Sequence, residues 1–184
     1  MRSLLLVAAL GLLLSGCTGD RPKPETTQAA PPKLQLIGVK PLFLGATPEQ
    51  VQEAVPAPPD AKDIAEQVGA DPGLEYMAWE LPSQESFAAA FVPGKGAVKM
   101  IHRVVMESMT EAEDAFAEYE KRLGKGTRKK GDGWIEVVYV REGAKLTLRA
   151  NDDNGFVTFN ENLEDTALDP KVLRQEAISG NQAR

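Results

Sequence analysis

Between Ala97 and Met106 every second residue is drawn from one set: Val98, Met100, His102, Val104 and Met106. A helix would spread these five around its axis, whereas a strand places them on one face with polar residues on the other. A second alternation runs through Ala144 to Ala150, where Leu146 and Leu148 point one way and Lys145, Thr147 and Arg149 the other. Half-buried strands of this kind need antiparallel neighbours, and the connectors supply them. Pro82-Ser83-Gln84-Glu85, Pro93-Gly94-Lys95-Gly96, Glu142-Gly143 and Asn151 to Gly155 all carry turn chemistry. The expected strands are Leu74 to Leu81, Phe87 to Val92 and Ala97 to Met106. Trp134 to Arg141, Ala144 to Ala150 and Phe156 to Asn160 follow, and Leu34 to Val39 is a further candidate.

Helices are expected where capping signals precede apolar stripes. Thr47 can cap, Pro48 suits the first helical position, and Gln50 completes a capping box ahead of Val51, Ala54 and Val55. Pro56 and the Pro58-Pro59 pair stop that helix. Asp60 to Val68 reads as a second short helix, closed by Gly69. Thr110 with Glu113, or equally Ser108 with Glu111, opens a longer one. Ala112, Phe116, Tyr119 and Leu123 form its buried face and Gly124 ends it. Leu168-Asp169-Pro170 starts a short terminal helix, with Leu168 and Leu173 as a hydrophobic staple. The body is therefore expected to be α+β. It reads as two tandem units, each a helix plus a three-stranded antiparallel sheet, with helices covering one sheet face.

Composition narrows the function. In 184 residues, 42% are hydrophobic and 26% charged, enough for a real core. The formal charge of −6 argues against nucleic acid as a partner. With one cysteine, Cys17, no intrachain disulfide can form; with one histidine, His102, little remains for a zinc site or a His-based catalytic set. No cofactor is implied.

The cysteine's position is informative. After Met1-Arg2, an apolar run from Leu4 to Leu14 would cover roughly 16 Å as a helix, too little for a bilayer core of about 30 Å. It fits a secretory signal instead. Its end, Leu14-Ser15-Gly16-Cys17, resembles the lipobox of bacterial lipoproteins. That resemblance implies cleavage before Cys17 and lipidation of its thiol, with palmitate-type acyl chains fixing the chain to a membrane. Thr18 after the cysteine, by resemblance to enterobacterial sorting, implies the outer membrane, facing the periplasm. Thr18 to Lys33 holds four prolines and no large apolar residue, so it reads as a tether. The expected organisation is a signal peptide over 1–16 and the lipidated Cys17 with its tether over 17–33. Two α+β units follow over 34–107 and 108–165, then a C-terminal tail over 166–184.

Leu44-Gly45-Ala46-Thr47-Pro48-Glu49-Gln50-Val51 resembles the helix start of the SmpA/OmlA family of small outer-membrane lipoproteins. Gly45, Thr47, Gln50 and Val51 fit its pattern, while Ala46 stands where Met is usual. The likeness covers roughly residues 34–107. It implies a helix followed by a short antiparallel sheet, and a non-enzymatic role as an accessory of outer-membrane assembly with some affinity for anionic lipid. Paired units of this kind are also similar to the fold of secreted β-lactamase inhibitory proteins, which use it to bind protein.

Candidate chemistry is sparse. No Gly-x-Ser-x-Gly or comparable motif accompanies His102, so a hydrogen-bonded structural histidine is expected. Asn151-Asp152-Asp153-Asn154-Gly155 can be aligned to a calcium loop, with Glu161 as its last ligand. Ala150 then stands at the first position and strands flank the loop, so a hairpin turn is expected instead. Lys121, Arg122, Lys125, Arg128, Lys129 and Lys130 form a basic cluster running from the helix end into a glycine-rich loop. In an acidic chain it is the candidate contact for an anionic surface or partner. The sequence thus points to a lipid-anchored cell-envelope lipoprotein acting as a non-catalytic binding or assembly module. The membrane would be engaged through the anchor, and an envelope protein is the expected partner. An envelope inhibitor or stress protein, or a cell-envelope hydrolase, are the alternatives.

Overall fold

Seven strands build one antiparallel sheet in the computed structural model, which describes residues 31–57, 74–80 and 84–167. The signal, Cys17, the tether up to residue 30, the helix expected at Asp60 to Val68 and the one from Leu168 lie outside the described residues. The strands are β1 (Glu75–Glu80), β2 (Ser86–Val92), β3 (Gly96–Met106), β4 (Thr127–Gly131), β5 (Trp134–Arg141), β6 (Ala144–Asp153) and β7 (Phe156–Asp165). Helix α1 (Pro48–Ala54) precedes β1, and α2 (Met109–Leu123) joins β3 to β4.

The spatial order is β1-β2-β3-β7-β6-β5-β4. This corrects the expected pair of tandem α+β units. The molecule is mainly β, and the two meanders are halves of a single sheet. The cause is β7, which runs on past Asn160 to Asp165 and pairs with β3 along Lys99↔Glu164 to Met106↔Val157. With that seam hydrogen-bonded, neither half has an edge of its own there. The second half also has four strands, because the basic segment expected as a loop pairs with β5 from Thr127↔Val138 to Gly131↔Trp134. The candidate strand Leu34 to Val39 is reduced to one isolated bridge, Leu36↔Leu42.

Local signals operate as their chemistry requires. Thr47 and Gln50 form a reciprocal capping box on α1. Of the two candidate caps on α2, Ser108 is used, accepting from the Glu111 amide, and Gly124 closes the helix at φ 75°. Glu142-Gly143 and Asn154-Gly155 turn their hairpins with both residues at positive φ, the geometry that suits a two-residue link between twisted strands. The Asp152 carboxylate accepts from the Gly155 amide, so the acidic turn is a hairpin device.

One face of the sheet carries the core. A transverse row crosses all seven strands as Trp79, Phe87, His102, Glu161, Leu148, Val137 and Arg128. Helix α2 covers this face with Ala112, Phe116, Tyr119 and Leu123, and Phe116 meets Phe159 edge-on at 5.1 Å between centroids. The arm formed by residues 31–46 joins the same core by burying Leu34, Leu36 and Leu42. Backbone bonds Gly45 N–H to Ala97 O and Ala97 N–H to Ala46 O hold its far end on β3. Gly96 makes this approach possible, since a Cβ there would stand 2.4 Å from Gly45 O.

Candidate functional site

The row's midpoint is polar. His102 on β3 and Glu161 on β7 are direct cross-strand partners, 0% and 2% exposed. Burying two ionisable groups is costly unless each is paired and hydrogen-bonded. Here the pairing is complete. His102 Nδ1 lies 2.9 Å from Glu161 Oε2, and Nε2 bonds to the carboxylate of Glu85, in the connection leading into β2. Glu161 Oε1 accepts from the Tyr119 hydroxyl at 2.5 Å and from the Gly38 amide at 3.0 Å. The Tyr119 oxygen in turn accepts from the Ile37 amide at 2.6 Å.

Two carboxylates on two ring nitrogens favour the imidazolium, with both nitrogens donating. Burial by itself lowers the His102 pKa. The hydrogen bond and charge of Glu161, reinforced by Glu85, outweigh it and set the value above the ordinary 6.5. Burial, with the Glu161 charge behind it, drives Tyr119 well above the ordinary phenol value, so the phenol stays protonated and donates. Gly38 is required by space: a Cβ there would stand 2.9 Å from both Glu161 Oε2 and His102 Nδ1.

The cluster therefore does one thing chemically. It holds a charge pair in the core and uses it to fasten the backbone, at Gly38 directly through Glu161 and at Ile37 through Tyr119. His102 is gathered with two carboxylates, as a hydrolase would need. Yet three surface clefts formed by described residues, of about 230, 480 and 320 Å³, are lined by none of His102, Glu161 and Glu85. Among the described residues no group of His, Cys, Asp and Glu is arranged to hold a metal ion. The sequence marks His102 as a buried polar candidate, Glu161 only as the last position of a calcium-loop alignment and Glu85 only as part of a turn; it does not mark Gly38. Tyr119 was expected as core only.

The basic cluster separates into two kinds. Arg122 pairs with Glu118 one helical turn away at 2.7 Å, a solvated helix-surface pair. Arg128 bonds to Glu113 and lies over the Phe116 ring at 5.2 Å, so it helps bind β4 to α2. Among the described residues, Lys121, Lys125, Lys129 and Lys130 are exposed and take part in no salt bridge. Lys129 and Lys130 lie on β4, the last strand of the sheet. Cys17 lies outside the described residues, and no described helix is long and apolar enough to cross a membrane.

No protein-family profile matches the chain, and no curated protein or solved structure matches it.

Proposed function

We propose that the chain is a lipid-anchored cell-envelope lipoprotein whose folded body is a non-catalytic binding or assembly module. The lipobox-like Leu14-Ser15-Gly16-Cys17 and the proline-rich tether behind it supply the anchor. The observation that carries the reading is the use made of the charged cluster buried in the described core. Its histidine is sealed from solvent with both nitrogens bonded, and its hydrogen bonds run to the arm that follows the tether. A body fastened by its N-terminal arm suits a module displayed from a membrane. Arg141 adds to this fastening, donating to Pro32 O at 2.8 Å and to Leu123 O.

The test is Cys17→Ser in the full chain expressed in a bacterial envelope. The parent should fractionate with membranes and carry the mass of attached acyl chains; the variant should lose both. A parent of unlipidated mass, or a variant that remains in the membrane with its mass unchanged, overturns the proposal.

A further inference from the structure

We propose that β4 is a docking edge for an acidic, extended protein segment, which joins the sheet as an eighth strand alongside Thr127–Gly131. The inference names a partner class for the module proposed above and rests on that reading.

β4 ends the sheet order, and among the described residues it pairs with β5 alone. Thr127, Arg128, Lys129 and Lys130 are all exposed, so among the described residues nothing pairs with the strand's outer edge. Such an edge presents a row of backbone N–H and C=O groups that another extended chain can satisfy, with side-chain chemistry selecting which chain. The side chains here select by charge.

Strand alternation places Lys129 on the face of Glu136 and Arg149, while Arg128 and Lys130 lie on the α2 face opposite Val137 and Ile135. Lys130 also lines a cleft of about 320 Å³ between the start of α2 and the β4–β5 hairpin. The cations therefore bracket the edge from both sides of the sheet. A flat anionic bilayer would meet one side only; a strand laid along the edge, with acidic residues at successive positions, meets both.

A second copy of β4 is disfavoured. Antiparallel self-pairing about Lys129 sets Lys129 against itself and Arg128 against Lys130, and like charges directly opposite destabilise a ladder. The other end of the sheet is different in kind. β1 carries Glu75 and Glu80 and buries Ala78 and Trp79.

The experiment uses the full chain in mild detergent and three labelled peptides. One carries Glu at successive positions within a Thr- and Val-rich strand sequence, so that acidic side chains lie on both faces; the second keeps its charge but is interrupted by prolines, and the third has Lys for Glu. Vesicles rich in phosphatidylglycerol are titrated in parallel, and amide hydrogen exchange is followed at residues 127–131. The acidic strand-forming peptide should bind and slow exchange within β4. Lys129→Glu with Lys130→Glu, both at exposed positions, should weaken it about tenfold or more and shift preference to the Lys peptide. Equal binding of the proline-interrupted peptide, or binding that leaves β4 exchange unchanged, overturns strand addition. So does binding of vesicles without binding of the acidic peptide. Failure here with Cys17-dependent anchoring intact removes the docking edge alone; peptide binding without lipidation removes the anchor and leaves the edge standing.

Discussion

His102 and Glu161, 59 residues apart in sequence, face each other across the β3–β7 seam with Nδ1 2.9 Å from Oε2. The pair sits where the two meanders become one sheet. His102→Ala leaves the Glu161 carboxylate buried without its countercharge and should cost about 3–5 kcal/mol, whereas Glu161→Ala leaves His102 paired with Glu85 and should cost less. Replacing both by Ala should cost less than the sum of the two single changes. Urea unfolding of the four proteins measures this, and additive losses would show that the groups do not interact.

His102 titrates with a defined sign. Its folded pKa lies above the ordinary 6.5, with burial opposing and the two glutamates prevailing. The stability linked to His102 protonation is therefore fully present below pH 6.5 and is lost as pH rises through the folded value. His102 is the chain's one histidine, so a single imidazole resonance reports it. A midpoint above 6.5 is expected; a midpoint below would mean that burial dominates.

Gly38→Ala should destabilise by about 1–3 kcal/mol, because the added methyl meets Glu161 and His102 and both are held by other bonds. Limited proteolysis of the variant should cut within residues 34–44 before the sheet yields.

The arginines of the basic cluster should differ although both are paired and exposed. Arg122→Ala removes a solvated pair one helical turn apart and should cost about 0.5 kcal/mol or less. Arg128→Ala loses the Phe116 face as well as Glu113 and should cost about 1 kcal/mol. Thermal denaturation ranks them, and equal shifts would remove the role of the Phe116 contact.

Much of the sheet is legible in the alternation of Val98 to Met106 and of Leu146 to Leu148, and α2 in its stripe and caps. What escapes is pairing. Thr-Arg-Lys-Lys-Gly has no alternation to read; β4 is a strand because Asp132-Gly133 turns it back against β5. Glu161 keeps the parity of Val157 and Phe159, a signal that following β7 past Asn160 would have exposed. Gly38 has no local mark at all, since its need arises from side chains on β3 and β7.

The most direct test of the fastening is amide exchange at Ile37 and Gly38 in the full chain and in Tyr119→Phe. Losing the hydroxyl removes the Ile37 acceptor and one donor to Glu161, worth about 1–3 kcal/mol. In the parent these two amides should exchange as slowly as those of β3 and β7, and in the variant Ile37 should exchange faster while β3 stays protected. Fast exchange at both positions in the parent, unchanged by Tyr119→Phe, would contradict an arm held by the buried charge pair.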